Sequence, residues 1–452
     1  IIYYPKFIKI KFKLKFIPKF DFDHSFIAKK VLICNYQINK GKEIVMRDYK
    51  KITEGIYYIG KVDDRYVPFH RLVLTKGTTY NSYFIDSENP TVIDTVDMMY
   101  GREFVDNLGT LTDLEKIKYI VVNHTEPDHS GAMAGLCMKA KNATIVCPEL
   151  AVDELKELYK LHNRNFLIVE DGDTLDIGGK TLLFKITPYL HTAETMITYC
   201  IEDKVLFPCD IFSTHVATFD LFDSISTEDI TNDFIGYYNS IIFPHRNHVQ
   251  TLLDAIKNLD IKIIAPSHGY VLTKDIDKYI KIYKDMSNLD LNGKKATVVY
   301  TTMRNTTKKI ANLIKCELEK SNMNVSIFNA DKDDKDEILK YISESNIVLF
   351  GSSTRYGDMI GNIESLLKEL SNMNLKDKLA VAFGSYGWSG ESIEIIQDYL
   401  NDTNMNVLNT SDVIKNTGMV EVEFPLRVRF SLDEDSTNSV IKAVEYMKTV
   451  IK

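Results

Sequence analysis

Residues 121–131, VVNHTEPDHSG, place four potential metal ligands within six residues, directly after an apolar run that predicts a β-strand. The four are His124, Glu126, Asp128 and His129. Imidazole and carboxylate groups at such close spacing are typical of metal sites in proteins. We therefore expect the chain to fold so that the end of this strand carries the cluster into a cleft.

Three further candidate ligands occur where predicted strands end. The strands predicted at residues 182–187, 204–208 and 261–266 lead, respectively, to His191, Asp210 and His268. Any one of these residues alone could be an ordinary core or surface group. All seven in this order indicate one shared metal site, because strand ends at the same edge of a sheet point into a common cleft.

The ligand chemistry narrows the choice of metal. Four histidines and three carboxylates form the set, and harder oxygen ligands shift the preference from zinc toward iron or manganese. Asp210 can bridge two cations because a carboxylate has two oxygens. The H-x-E-x-D-H spacing is the metallo-β-lactamase ligand pattern with one change, since Glu126 replaces the second histidine of the usual H-x-H-x-D-H.

The second half of the chain has a different predicted order of strands and helices. After a polar stretch at residues 288–295 that predicts a linker, strands are predicted at residues 296–300, 346–351 and 379–384. Each is followed by a Gly, Ser or Thr loop and then a helix, which is the signature of a doubly wound parallel sheet. All ten histidines lie at or before His268, so we expect the two halves to do different chemistry.

Three loops at the ends of these strands predict a mononucleotide site. Residues 301–307, TTMRNTT, offer hydroxyls and a helix start that would cradle a phosphate, although the hydroxyls could instead cap the helix. Residues 352–358, SSTRYGD, and 385–391, SYGWSGE, resemble the flavodoxin-like FMN site, and the latter contains the only tryptophan. The predicted FMN contacts are Thr302, Met303, Arg304, Asn305, Thr306, Thr307, Ser352, Ser353, Thr354, Arg355, Tyr356, Gly357, Ser385, Tyr386, Gly387, Trp388, Ser389 and Gly390.

These motifs together resemble the flavodiiron proteins from Met46 to the C-terminus. The resemblance implies an α/β fold in which a metallo-β-lactamase-like αββα sandwich, residues 46–290, is followed by a flavodoxin-like doubly wound parallel sheet, residues 294–452. It also implies that one iron is bound by His124, Glu126 and His191, that the other is bound by Asp128, His129 and His268, and that Asp210 bridges them.

The resemblance further marks residues near the metals and some departures from the family pattern. His70 and His215 match positions from which a histidine could contact bound gas or orient the ligands, and Tyr238 is a weaker candidate for which core packing is the alternative. Arg71, Ser213, Thr192 and Arg304 differ from the residues usual in the family. The first three leave the shape of the pocket and the preferred gas open, and Arg304 leaves open whether a side chain stacks on that side of the flavin.

The activity implied by the resemblance is that of a flavodiiron reductase. FMN would take electrons from a donor and pass them to two irons, which would reduce O2 to water, NO to N2O, or both. No G-x-G-x-x-G motif opens a strand-helix unit, which disfavours direct binding of a nicotinamide dinucleotide. The resemblance implies rubredoxin or a similar small protein as the electron donor, although methanogen relatives use a reduced deazaflavin. A head-to-tail homodimer, or a dimer of such dimers, is also implied. The alternatives are a zinc hydrolase of the metallo-β-lactamase fold and a binding or electron-transfer module with a structural metal.

The charge distribution and the cysteines limit which partners and which cellular compartment are expected. Residues 1–45 carry a net charge of +7 and the rest of the chain −15, and an acidic body disfavours nucleic acid as a partner. We expect residues 1–45 to be a non-native extension, translated from an untranslated region, that precedes the natural start at Met46. The alternative is a genuine β-rich or membrane-surface arm. The intact mass of the native protein distinguishes the two. Six scattered cysteines and no long apolar run predict a protein of the reducing cytoplasm without a membrane anchor.

Overall fold

The structure, a computed structural model, describes residues 50–69, 72–288 and 290–451. The predicted extension at residues 1–45, the predicted start at Met46, and both His70 and Arg71 lie outside the described residues.

Two sheets packed face to face form the first half of the described chain. The first has the order β1-β2-β7-β8-β9-β10-β11 and the second β12-β13-β14-β15-β16, while β3 pairs with β6 and β4 with β5. The strands are β1 (Lys50–Thr53), β2 (Ile56–Tyr58), β3 (Lys61–Asp63), β4 (Val67–Phe69), β5 (Leu72–Leu74), β6 (Thr78–Tyr80), β7 (Tyr83–Ile85), β8 (Thr91–Ile93), β9 (Tyr119–Val121), β10 (Thr144–Cys147), β11 (Asn165–Ile168), β12 (Thr174–Asp176), β13 (Thr181–Ile186), β14 (Met196–Cys200), β15 (Val205–Phe207) and β16 (Ile263–Ile264).

Seven α-helices belong to this half of the described chain, and all but the short α2 pack on the outer face of one of the sheets. They are α1 (Gly101–Leu111), α2 (Pro127–Ser130), α3 (Met133–Lys139), α4 (Glu149–Tyr159), α5 (Thr231–Tyr237), α6 (Arg246–Ile256) and α7 (Ile276–Met286). Leu108, Leu136 and Leu155 bring α1, α3 and α4 into one apolar core with the first sheet, while α5, α6 and α7 pack on the second. A third core, containing Ile93 and Phe184, lies between the sheets. The predicted αββα sandwich is confirmed.

The strand predicted at residues 261–266 is shorter in the structure than in the prediction. Only Ile263–Ile264 pairs with β15. Beyond it, the carbonyl of Pro266 accepts hydrogen bonds from Asn81 Nδ2, at 2.8 Å, and from the Tyr83 hydroxyl, at 2.7 Å. Proline has no N–H for a further ladder bond, so the chain leaves the sheet there and delivers His268 toward the cleft.

A parallel sheet of order β18-β17-β19-β20-β21, with β22 beside β20, forms the second half of the described chain. Its elements are β17 (Lys295–Tyr300), α8 (Thr306–Glu319), β18 (Asn324–Asn329), α9 (Lys335–Glu344), β19 (Ile347–Ser353), α10 (Ile363–Leu370), β20 (Leu379–Tyr386), α11 (Glu391–Asn401), β21 (Asn406–Val407), α12 (Thr410–Thr417), β22 (Leu426–Arg429) and α13 (Glu434–Val450). Apolar cores lie on both faces of the sheet. This is the predicted doubly wound fold, and its ligand site is expected at the carboxyl ends of the strands.

Two buried side chains of the first half hold backbone carbonyls of the second. His245 Nε2 donates to the carbonyl of Asn416, at 3.1 Å, and the Arg246 guanidinium donates to that of Ile451, at 2.9 Å. These acceptors lie at the ends of α12 and α13, where carbonyls lack partners within the helix. In the described part of the chain, no helix has the length and apolar character needed to cross a membrane.

Candidate metal centre and flavin site

The first four candidate ligands are placed by the end of β9 and the start of α2. His124 follows the strand after two residues, and Pro127 opens the helix at its first position, which suits proline because the missing N–H would be unbonded there. Asp128 and His129 occupy the first turn of α2 and are buried. Local sequence therefore fixes these side chains at one strand-helix junction.

The other three come from separate connections of the second sheet. His191 lies between β13 and β14, Asp210 follows β15, and His268 follows β16. Within each of three groups, the potential ligand atoms lie within 4.8 Å of one another; the groups are His124, Glu126 and His191; His124, His129 and Asp210; and Asp128, His129 and His268. All seven predicted ligands therefore meet in one cluster.

Asp210 lies between the two outer groups. Its Oδ2 is 3.7 Å from His124 Nε2 and 3.2 Å from His191 Nε2. Its Oδ1 is 3.4 Å from His129 Nε2 and 3.3 Å from His268 Nε2. Because each oxygen faces a different pair of imidazoles, the arrangement suits two cations that share one carboxylate.

Several buried ligand atoms support this interpretation. Among the described residues, His124 Nε2, His129 Nε2, Asp128 Oδ2 and Asp210 Oδ2 have no hydrogen-bond partner. A buried polar atom without a partner costs about 1–3 kcal/mol, so four in one place call for an explanation. Metal ions at about 2.0–2.2 Å from nitrogen and oxygen ligands would satisfy them, and the donor set therefore fits a pair of cations.

The pKa shifts within the cluster also support a metal site. Burial acts to raise the pKa of Asp128 and Asp210, yet the surrounding histidines hold both well below the ordinary value. Burial likewise acts to lower the pKa of His268, but the neighbouring Asp128 and Asp210 carboxylates raise it to about 9. Both carboxylates are thus held in their charged form beside the imidazoles, and metal ions bind carboxylate ligands in that form.

The ring nitrogens facing away from the cluster are held by residues that sequence reasoning missed. His124 Nδ1 lies 2.6 Å from Glu194 Oε1, and His268 Nδ1 lies 2.6 Å from the carbonyl of Thr79. His129 Nδ1 lies 3.5 Å from Cys209 Sγ. No residue type in the sequence marks these partners, because the fold alone brings them to the histidines.

Of the two interpretations left open for Tyr238, the structure favours core packing over a place in the metal pocket. Tyr238 lies in the core, where its hydroxyl is 2.7 Å from Ser287 Oγ and its ring packs on Tyr283. Its neighbour Tyr237 instead donates its hydroxyl to Asp210 Oδ1, at 2.8 Å. Consecutive residues of a helix face directions about 100° apart, so only one of the pair points at the metal cluster.

His215 is placed beside the cluster, as expected. Its ring centroid is 5.0 Å from that of His268 and 4.8 Å from that of Tyr237, and its Nδ1 lies 3.0 Å from Thr78 Oγ1. Two of the unusual residues also contact ligands. The Ser213 hydroxyl accepts the backbone N–H of His268, at 3.2 Å, and Thr192 Oγ1 lies 3.2 Å from His124 Nδ1.

The three predicted flavin loops meet at the carboxyl ends of β17, β19 and β20. Thr307 Oγ1 lies 2.9 Å from the hydroxyls of both Ser353 and Ser385, which are themselves 3.2 Å apart. Ser352 and Ser353 end β19 and Ser385 and Tyr386 end β20, whereas residues 354–357 and 387–390 form the loops that follow. Loops distant in sequence thus converge as predicted.

The start of α8 has the features of a phosphate site. Asn305 precedes the helix at φ +65°, and its side chain makes no capping hydrogen bond to the N-terminus of the helix. Thr302 Oγ1 is buried and has no hydrogen-bond partner among the described residues. Tyr356 and Trp388 are 92% and 91% exposed, which leaves two aromatic faces open beside the loops. These residues fit a phosphate attached to a flat aromatic ring system.

Comparison with known proteins matches each half of the chain to a family. Residues 78–269 match the ODP family beta lactamase, and residues 298–438 match the flavodoxin family. The chain is 36% identical over 359 residues to the anaerobic nitric oxide reductase flavorubredoxin of Vibrio vulnificus, which covers 78% of this chain and 72% of the relative. It is 35% identical over 355 residues to the nitric oxide reductase of Moorella thermoacetica, over 77% and 88% of the two chains.

Solved structures resemble the chain over both halves. The flavodiiron protein from Giardia intestinalis aligns with a TM-score of 0.54 and 28% identity over 91% of this chain and 98% of that one. Rubredoxin oxygen:oxidoreductase from Desulfovibrio gigas aligns with a TM-score of 0.53 and 23% identity over 89% and 98%, a likeness that concerns the fold alone.

Proposed function

This chain belongs to the flavodiiron protein family, and from that membership we propose that it is an oxidoreductase that reduces O2 to water, NO to N2O, or both. The observation that carries the proposal is the position of Asp210, with one oxygen toward His124 and His191 and the other toward His129 and His268. Joined to a flavodoxin domain, such a two-metal cluster is suited to moving electrons.

The cofactors are two iron ions and one FMN. When bound, FMN would accept reducing equivalents from the donor and pass single electrons on, and the irons would exchange single electrons with the gas. One iron would be held by His124, Glu126 and His191 and the other by Asp128, His129 and His268, with Asp210 between them. The remaining work of the site falls to the residues around these ligands.

Tyr237 and His215 line the cluster on the side of Asp210 and His268. Burial, together with the nearby Asp210 carboxylate, raises the pKa of Tyr237 well above its ordinary value, so its hydroxyl keeps its proton and holds it at Asp210 Oδ1. We assign His215 to the same pocket and keep His70 as a predicted pocket residue. The buried ring of Tyr237 also helps to exclude water from the metals.

In the second domain, the start of α8 would bind the FMN phosphate. Its uncapped N–H groups and the hydroxyls of Thr302 and Thr306 would donate to the phosphate oxygens, and the helix dipole would favour the negative charge. The loops at residues 354–357 and 387–390 would flank the ring system. We place the domain boundary between residues 290 and 294, between the segments matched to the two families.

The electron donor that we propose is rubredoxin or a similar small redox protein. The name of the Vibrio vulnificus relative, flavorubredoxin, supports such a donor. The cysteines of the described residues, Cys137, Cys147, Cys200, Cys209 and Cys316, are free thiols, which supports the proposal of a reducing compartment such as the cytoplasm.

We further propose that the protein works as a head-to-tail homodimer, alone or paired with a second dimer, in which each FMN serves the partner's irons. Mixing tests this proposal. One variant combines Asp210→Ala with His268→Ala, and the other combines Thr306→Ala with Thr307→Ala. Each should be inactive alone, since one lacks iron and the other lacks FMN. Refolded together, random pairing should restore about one quarter of the normal activity, because half of the dimers are mixed and each has one complete site.

The mixing experiment needs two controls. Iron and flavin analyses must show the intended loss in each parent variant, and mass spectrometry must show that mixed dimers form. A mixture with abundant mixed dimers and no activity would mean that electrons pass within one chain.

The function itself is tested by turnover. Protein loaded with iron and FMN, and supplied with reduced rubredoxin, should consume O2 or NO in parallel assays. Protein that holds both cofactors yet consumes neither gas would overturn the proposal.

A further inference from the structure

The histidines of the metal cluster differ in what holds the ring nitrogen on the side away from the metals. For His124 the partner is the Glu194 carboxylate, for His268 the backbone carbonyl of Thr79, and for His129 the weakly accepting thiol of Cys209. Of these three partners, Glu194 is the only carboxylate, a group that places a negative charge beside its histidine.

Glu194 is fixed in place behind His124. Its side chain is 4% exposed, and its Oε1 also accepts the backbone N–H of Thr125, at 3.2 Å, and the Thr125 hydroxyl, at 2.9 Å. A carboxylate only accepts hydrogen bonds, so His124 Nδ1 must donate. This leaves His124 Nε2 with its lone pair toward the cluster, 3.5 Å from Glu126 Oε2.

The loop that carries Glu194 also carries a ligand of the same group. His191 lies three residues earlier, and the loop is closed by hydrogen bonds from Thr187 N to the Thr195 carbonyl, at 2.9 Å, and from Thr195 Oγ1 to the Thr187 carbonyl, at 2.6 Å. One braced loop therefore supplies both His191 and the carboxylate behind His124.

The hydrogen bonding of Asp210 also differs between its two oxygens, and the difference again favours the His124 side. Its Oδ1, which faces His129 and His268, accepts the Tyr237 hydroxyl at 2.8 Å. Its Oδ2, which lies 3.2 Å from His191 Nε2 and 3.7 Å from His124 Nε2, accepts no hydroxyl hydrogen bond within the described residues. A hydrogen bond draws negative charge from the oxygen that accepts it, so Oδ2 is the stronger electron donor of the two.

We propose that Glu194 is a positioning residue that acts through His124, so that the iron bound by His124, Glu126 and His191 is the more easily oxidised of the pair. The proposal rests on the diiron function stated above. A carboxylate behind a metal-bound histidine raises the basicity of that ligand, which stabilises ferric more than ferrous iron. With irons bound, the site formed by Asp128, His129 and His268 would hold the more easily reduced iron, and the site formed by His124, Glu126 and His191 would favour the ferric state.

The variant Glu194→Gln tests this order because it keeps the shape and the hydrogen-bond acceptor but removes the charge. The wild type and the variant are loaded with iron and FMN and titrated with a reductant, and the mixed ferric-ferrous state is followed by electron paramagnetic resonance. In the variant, we expect the second reduction potential to rise by about 59 mV for each tenfold loss of ferric preference. The maximum population of the mixed state should fall accordingly. We also expect iron loss to a chelator to be about 10- to 100-fold faster.

Two further variants separate the hydrogen bond from other effects. Glu154→Gln is the matched control, because this carboxylate bonds the same Thr125 hydroxyl from a neighbouring helix and its replacement should leave both potentials unchanged. Glu194→Asp keeps the charge but shortens the side chain, and it should restore part of the wild-type potential. Flavin content and circular dichroism verify that each variant is folded.

Three outcomes would overturn the inference. If Glu194→Gln has the same two potentials as the wild type with two irons bound, Glu194 does not act through His124. If Glu154→Gln shifts the second reduction potential equally, the effect comes from the loss of any nearby negative charge and not from the hydrogen bond to His124. If the wild type binds FMN but no iron pair, the proposed function fails and this inference fails with it, an outcome that iron analysis distinguishes from the other two.

Discussion

Replacing Asp210 with alanine should abolish the reduction of O2 and NO while leaving FMN bound. Asp210 provides one oxygen to each side of the cluster, so its loss removes a ligand from both metals at once. It also leaves buried imidazoles facing each other with less negative charge between them. Residues that merely support metal ligands contribute about 10- to 100-fold to affinity or activity, so we expect activity to fall by more than that range.

The comparison is made with Asp220→Ala, which removes an exposed carboxylate ten residues later in the same connection. The measurements are iron content, flavin content and gas consumption with a reduced donor protein. Asp220→Ala should match the wild type in all three. Turnover by Asp210→Ala at the wild-type rate, with two irons still present, would show that Asp210 is not a shared ligand.

Replacing Thr307 with valine should weaken FMN binding. Thr307 is fully buried at the point where three loops meet, and its hydroxyl lies 2.9 Å from those of Ser353 and Ser385. Valine has the same shape but no hydroxyl, so it breaks this group and disturbs the loops that would receive the phosphate. Removing one partner of a buried hydrogen-bonded group costs about 1–3 kcal/mol, and a loss of that size from the phosphate loops corresponds to about 5- to 150-fold weaker FMN binding.

Thr417→Val provides the control for this substitution. Thr417 is also a buried threonine of the second domain, but its hydroxyl bonds the Val413 carbonyl within α12. Flavin fluorescence during dialysis measures retention in both variants, and the iron content should stay at two per chain in each. Equal FMN retention in Thr307→Val and the wild type would place the phosphate elsewhere.

The sequence was a sound guide to the architecture because the local signals agree with the fold. β-branched apolar runs predicted the strands at residues 182–187 and 204–208, and the structure has them at Thr181–Ile186 and Val205–Phe207. The ligands could be ordered because each candidate side chain follows a strand. The change to strand-loop-helix alternation after residue 288 predicted the parallel sheet in the same way.

The residues that support the ligands could not be predicted, because their roles depend on contacts across the fold. Glu194 lies 70 residues from His124, and nothing in its own segment distinguishes it from an ordinary loop carboxylate. Tyr237 and Tyr238 are adjacent and chemically identical, so only the phase of the helix decides which one faces Asp210. The early end of β16 could not be predicted either, because the Pro266 carbonyl is bonded by the side chains of Asn81 and Tyr83, which are distant in sequence.

The most direct test of the central claim is the rate at which NO and O2 reoxidise the bound, fully reduced FMN. The measurement compares protein loaded with iron and protein loaded with zinc, since zinc fits nitrogen and oxygen ligands but has no redox chemistry. Iron-loaded protein should reoxidise its flavin rapidly with at least one gas, and zinc-loaded protein should do so only at the slow rate of a flavin reacting by itself. Equal rates in the two preparations would contradict the account, because electrons would then reach the gas without the metal pair.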